Sequence, residues 1–378
     1  MKNKRLVLYF FALTLTLILI LPMVNLLSFI SQDGLSKIKE IKKETILNTD
    51  KLETLVSFIV YKLFNKSIFP QMVVTGKDNF LFLGNRYAEV LNKTNGKFQT
   101  TDKEVEQFLK KLLQLQQWYE AQGIKFVIAI APNKHTIYKE KLPNWISYDG
   151  TTITDKIVEK NKRYGIHLVD LRQSLLDAKQ DETRLLYQKT DTHWNMLGAS
   201  IGYEEVIDYM NKEYLLNIKK ITYDIVHSEK KNHRGGLFRF LKADDFFDIR
   251  DYNTYEYKFD KLLKVCHGKI NIKNGKIKKC KIKSNPIMAT NHQPQYIIND
   301  NEKLKMLYLG DSFSTYSSQL FNVSFYSIWK LHFRKFKGKK LIKFIKKHKP
   351  DIVFYQVVER DFYKNTIFNV LQKNAKRK

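Results

Sequence analysis

Leu304-Lys-Met-Leu-Tyr-Leu-Gly-Asp-Ser-Phe-Ser314 is an apolar run that passes directly into a glycine turn and a serine. A short apolar run closed by a breaker is what a strand buried on both faces looks like, and that is the usual condition of strands in a parallel sheet. Gly310 permits a tight turn with close backbone approach. Ser312 is therefore expected at the carboxyl end of a sheet strand, where ligands of open α/β folds bind.

Outward from this stretch, three other segments repeat the order helix, break, apolar strand. Thr101-Asp-Lys-Glu104 is a capping box, and Val105, Phe108, Leu112, Leu115 and Tyr119 after it keep helical spacing. Gly123 ends that helix, and Phe126-Val-Ile-Ala-Ile-Ala131 follows, closed by Pro132. A helix near Asp155 to Arg163 leads through Gly165 to Ile166-His-Leu-Val169, and Lys340 to Lys347 leads through Pro350 to Ile352-Val-Phe-Tyr355. This alternation predicts an α/β fold, a parallel sheet flanked by helices. Between about 211 and 301 the pattern gives way to lysine-rich, tyrosine-rich, hairpin-like pieces, read as an insertion on the same domain.

The N-terminus differs in kind. Met1-Lys-Asn-Lys-Arg5 is basic, and Leu6 to Ile30 is an uncharged stretch of 25 residues, slightly more than the roughly 20 that cross a bilayer. No Ala-x-Ala cleavage pattern follows it, so residues 1–32 are expected to be an uncleaved transmembrane anchor. Positive charge before the span predicts an inside N-terminus and an extracytoplasmic remainder. A juxtamembrane stalk over 33–70 and a catalytic region over 71–378 complete this single-pass arrangement.

Hydrophobic residues make up 43% of the chain, with 25 Phe and 21 Tyr, enough for a real core and contrary to disorder. Lys and Arg number 66 against 38 Asp and Glu, a net +28. The outward topology sets a nucleic-acid partner aside and points to anionic lipid headgroups or acidic glycans, with solvated lysine faces as the plainer account. Cys266 and Cys280 flank an Asn274-Gly275 turn signal. A two-residue turn there sets Cys280 opposite Lys269, so a disulfide would require a bulge or longer loop, and two free thiols are expected.

A serine alone is inert, so Ser312 needs a base. Lys189-Thr-Asp-Thr-His-Trp-Asn195 supplies one. Asp191 and His193 are two apart, so in an extended or turn conformation the carboxylate can hold one imidazole nitrogen while the other addresses a hydroxyl. Asp191 and His193 have no third ligand at a recognisable spacing, and neither a metal nor a cofactor is called for.

Taken together, Thr190-Asp-Thr-His-Trp-Asn195 and Gly310-Asp-Ser-Phe-Ser314 resemble the SGNH-hydrolase-like family of the alginate O-acetyltransferases AlgJ and AlgX. Weaker similarities lie at Gly76-Lys-Asp-Asn-Phe-Leu-Phe82, at Ala131-Pro-Asn-Lys134 with Tyr138 and Leu142-Pro143, and at Val357-Val-Glu-Arg360. The resemblance implies a triad of Ser312, His193 and Asp191. It also implies acetyl transfer to a cell-surface polysaccharide, fed by a membrane-bound O-acyltransferase. Ordinary SGNH hydrolases place the serine block early and use Asp-x-x-His late, so the resemblance is to the branch with permuted motif order. Gly235-Gly236 and Asn133 are the candidates for the missing oxyanion blocks. Asn133, Lys134, Tyr138 and Arg360 follow or flank sheet strands and are expected to meet substrate, Lys134 and Arg360 through an anionic sugar.

Overall fold

In the computed structural model, the described residues are 2–148, 150–181, 184–228, 234–242, 254–259, 264–271, 276, 281–284, 295–299, 303–334 and 338–371. The chain divides into two units, Met1–Phe69 with Phe238–Asp248, and Pro70–Leu237 with Ile249–Lys378.

The first unit opens with the helix Lys2–Asp33. Its segment Val7–Gln32 is long and apolar enough to cross a membrane. Asn25, the amide within that segment, is satisfied by the carbonyls of Ile46 and Asn48 at 2.8 and 2.7 Å. The helix Asp50–Phe64 follows, and its buried Ser57 hydroxyl donates to the Leu241 carbonyl.

The strands of the second unit, in chain order, are β1 (Val73–Thr75), β2 (Leu81–Leu83), β3 (Lys125–Ala131), β4 (Leu168–Asp170), β5 (Tyr223–His227) and β6 (Tyr255–Phe259). They continue with β7 (Lys264–Lys269), β8 (Lys281–Ser284), β9 (Gln295–Ile298), β10 (Lys305–Gly310), β11 (Ser327–His332) and β12 (Ile352–Val358). Eight of them form one sheet in the order β4-β3-β12-β10-β11-β9-β7-β8. The first five are parallel to one another.

Alternate residues of the central strands point to opposite faces, and both faces are covered. Val127, Ala129, Met306, Tyr308, Ile328 and Phe354 pack with residues of the helices Met196–Tyr214 and Ser314–Ser324. On the other face, Ile128, Leu307, Leu309, Val353 and Tyr355 pack with residues of the helices Asp102–Glu120, Ile153–Tyr164 and Lys339–His348. Double coverage is why these strands are continuously apolar in sequence. The Thr101–Glu104 capping box forms as expected and fixes the start of the first of these helices.

Two features depart from the sequence reading. The sheet is extended by three antiparallel strands, β9, β7 and β8, drawn from the lysine-rich region where periodicity was weak. Strands at a sheet's margin have less of each face buried and do not need an apolar run. The interior strand β11 was not foreseen at all, because Lys330 interrupts its apolar residues, yet Lys330 is only 2% exposed.

Cys266, on β7, is disulfide-bonded, which corrects the expectation of free thiols. The other cysteine of the chain, Cys280, lies outside the described residues, as does the Asn274-Gly275 turn. Cys266 pairs across from Ile282 and His267 from Lys281, a register one residue away from that of a two-residue turn.

Candidate active site

The segment Thr190–Trp194 is irregular backbone, so its position depends on side chains and on neighbouring loops. The Asp191 carboxylate accepts from the His193 backbone N–H at 3.0 Å and from His193 Nδ1 at 2.5 Å. Its second oxygen accepts from the Gly236 amide at 2.7 Å. Burial disfavours the charged form of Asp191, but the His193 side chain and these backbone donors outweigh it and hold the carboxyl well below the usual carboxylate range. With Nδ1 donating to the carboxylate, His193 has Nε2 left as an acceptor. Nε2 is buried and has no hydrogen-bond partner.

Gly235 is required by close approach: a Cβ there would stand 2.4 Å from the Thr190 carbonyl oxygen and 2.5 Å from the Asp191 Cβ. Its amide donates to Thr190 Oγ1 at 2.7 Å. Gly235 and Gly236 therefore fasten the Asp191 loop, and their amides are engaged there instead of lining an oxyanion hole.

Ser312 sits in the turn between β10 and the helix Ser314–Ser324, and it is partly exposed. Asp311 shapes the turn: one carboxylate oxygen accepts from the Phe313 amide at 2.9 Å, the other from the Val358 amide at 2.6 Å. Burial pushes the Asp311 carboxyl up. A Cβ on Gly310 would lie 2.3 Å from Ser314 Oγ, so glycine leaves the space into which Ser314 folds.

Phe313 joins the two motifs. The Trp194 indole N–H donates to the Phe313 carbonyl at 2.9 Å. The Phe313 ring lies 5.0 Å from the His193 ring and 5.5 Å from the Trp194 ring, centroid to centroid. Tyr316, one turn on, lies 5.9 Å from the His193 ring. Residues about 120 apart in sequence thus place the His193 imidazole beside the residue that follows Ser312. No hydrogen bond joins His193 Nε2 to Ser312 Oγ.

The four residues expected at the substrate are all buried. Lys134 is 1% exposed. Its ammonium donates to the carbonyls of Gln188, Lys189 and Asp191 at 2.9, 3.0 and 2.5 Å, where contact with an anionic sugar was expected. Tyr138 is likewise interior, its hydroxyl accepting from the Leu186 amide at 2.9 Å. The Asn133 amide donates to Glu359 at 2.9 Å, and Asn133 Oδ1 accepts from Arg360 at 3.2 Å. Asn133 Nδ2 is buried with no partner. Arg360, 9% exposed, lies 5.5 Å from the Phe313 ring centre, against the Ser312 turn. Glu359 accepts from the Asn133 backbone amide and the Thr136 hydroxyl. Among the described residues, no three His, Cys, Asp or Glu side chains gather as a metal site requires.

Comparison with known proteins bears on the same residues. Residues 73–260 match the family described as "SGNH hydrolase-like domain, acetyltransferase AlgX". The chain is similar to the "Probable alginate O-acetylase AlgJ" of Pseudomonas aeruginosa, 26% identical over 180 residues, 47% of this chain and 42% of that protein. The AlgJ of Pseudomonas fluorescens is 26% identical over 198 residues, 50% of this chain and 45% of that protein. The match thus spans less than half the length of either relative. Among solved structures, Bacillus cereus PatB1 superposes with a TM-score of 0.57 at 18% identity, covering 79% of this chain and 99% of that one. A DHHW family protein from Eubacterium siraeum gives 0.56 at 14% identity, covering 80% and 96%. These superpositions speak to the fold alone. On the family match, supported by the AlgJ similarity, the chain belongs to the AlgJ/AlgX-type SGNH-hydrolase-like family.

Proposed function

We propose that this chain transfers acetyl groups to hydroxyls of a cell-surface or secreted polysaccharide through an acyl-Ser312 intermediate. The observation that carries this reading is the Asp191–His193 pair, docked on Phe313 with its buried Nε2 unpartnered. His193 Nε2 takes the proton of Ser312 as Oγ attacks the acyl carbonyl, then gives that proton to the departing donor group. A sugar hydroxyl, deprotonated by the same nitrogen, attacks the acyl-serine, and the proton returns to Ser312. Asp191 fixes the tautomer and supports the imidazolium. The Ser312 amide, with Asn133 Nδ2 as the second donor, serves the oxyanion.

Polysaccharide is favoured as the acceptor because the relatives are named as alginate O-acetylases. The apolar helix at Val7–Gln32 suits an anchored, extracytoplasmic enzyme fed by a membrane-bound O-acyltransferase. In this reading 1–32 is the anchor, 33–70 the stalk and 71–378 the catalytic domain.

The test supplies the full chain with a synthetic acetyl donor and candidate oligosaccharides, and weighs the sugar by mass spectrometry against acetate released. Acetylated sugar that disappears in Ser312→Ala is the expected result. Serine-dependent acetate release with no acetylated sugar across several acceptors makes the chain an acetylesterase. No serine-dependent turnover of any donor leaves a polysaccharide-binding or assembly role.

A further inference from the structure

Lys330 is an interior lysine on an interior strand. It is 2% exposed and stands opposite Tyr308 in the β10–β11 ladder. Its ammonium lies 5.0 Å from the centre of the Tyr308 ring and donates to one acceptor, Ser314 Oγ, at 2.5 Å. Ser314 is fully buried, and its hydroxyl donates onward to the Asp311 carbonyl at 2.5 Å. That carbonyl belongs to the peptide bond between Asp311 and Ser312. Gly310 leaves the room for this chain of contacts, since any Cβ there would collide with Ser314.

An ammonium buried with a single neutral acceptor is costly, and an apolar side chain at this position would fit the surrounding core of Met306, Tyr308 and Ile328 without that cost. Burial pushes the Lys330 ammonium down to about 7, with Asp311 the opposing charge. A costly group aimed at a single hydroxyl under the nucleophile turn is a sign of function over stability.

We propose that Lys330 is a positioning residue for Ser312, acting through Ser314 to hold the Asp311–Ser312 peptide and so the direction of Ser312 Oγ. This rests on the reading of Ser312 as the nucleophile. Lys330 touches neither substrate nor Ser312; it braces the turn from below, while Asp311 ties the same turn sideways to the Val358 amide.

The readout is the second-order rate constant for labelling Ser312 in the full detergent-solubilised chain with an arylsulfonyl fluoride. Ser312 Oγ bonds to sulfur, fluoride leaves, His193 takes the proton, and peptide mass spectrometry locates the label. The probe needs no knowledge of donor or sugar. Lys330→Met is expected to label 10- to 100-fold more slowly with a melting temperature equal to or above that of the wild type. Ser314→Thr, which keeps the hydroxyl, should label at least 10-fold faster than the isosteric Ser314→Val, a comparison that stands even if Lys330→Met fails to fold. Lys330→Met combined with Ser314→Val should be no slower than the slower single variant, since the two act as one unit. Wild-type labelling rates in Lys330→Met, or equal rates in Ser314→Thr and Ser314→Val, overturn this inference alone. A wild-type chain whose Ser312 takes no label overturns the nucleophile reading, and this inference with it.

Discussion

Lys134 and Lys330 are both buried lysines under the two halves of the site, and they are satisfied to different degrees. Lys134 has three backbone carbonyls, those of Gln188, Lys189 and Asp191. Lys330 has the Ser314 hydroxyl. The difference follows from the backbone around each. Irregular chain near Asp191 leaves carbonyls outside any ladder, and an ammonium can collect them. Around Lys330 the strands β10 and β11 already use their carbonyls on each other, so only a side-chain acceptor remains. Lys134 therefore stabilises the loop it holds, whereas Lys330 carries a desolvation cost that its one hydrogen bond does not offset.

The largest effect expected from this contrast is on the Lys134 side, at the carboxylate that its loop presents. Asp191→Asn keeps the shape but not the charge, and an amide cannot hold His193 in the tautomer that leaves Nε2 free. The serine-dependent rate should fall on the order of 10⁴-fold with near-native circular dichroism. A fall of less than about tenfold would remove Asp191 from the role of orienter.

Next in size is the loss of the cage itself. Lys134→Met takes a donor from three carbonyls at once and should destabilise the second unit by about 3 kcal/mol, read from the urea midpoint at constant slope. A loss below about 1 kcal/mol would mean the loop is held mainly by Gly235 and Gly236, and the contrast with Lys330 would be weaker.

The same two lysines mark how far sequence reasoning reached. Strands β3, β10 and β12 were legible because both their faces are buried and their residues are apolar without interruption. The helix at Asp102–Glu120 was legible from its cap and spacing. β11 was hidden by Lys330, since a charge in mid-strand reads as a solvent edge unless its burial is known. Lys134 was picked out by its place after β3, but its direction is set by carbonyls 54 to 57 residues away, and no local pattern encodes that. The pairing of Asp191 with His193 was visible from a spacing of two. The contact between Trp194 and Phe313, 119 residues apart, was not. Gly235-Gly236 stood out as a pair of glycines, and only the collision a Cβ would make with Thr190 and Asp191 reveals why both the space and the amides are needed there.

The smallest expected effect sharpens the contrast most, because its sign is opposite to that of Lys134→Met. In the folded chain burial pushes Lys330 down to about 7 against the attraction of Asp311, with Tyr308 as the other titratable group facing it. Unfolded, it titrates near about 10.4. Between those values the unfolded chain holds the extra proton, so wild-type stability should rise with pH across that window. Below about 7 both states are charged and the full burial cost is present; above about 10.4 both are neutral and it is gone. Methionine removes the titration, so Lys330→Met should be more stable than the wild type at pH 6, with the gap narrowing as pH approaches 10. Thermal melts of both chains across this range make the comparison. A gap that is constant with pH, or a variant less stable at pH 6, would mean that Lys330 is held by more than Ser314, and the two lysines would no longer differ in kind.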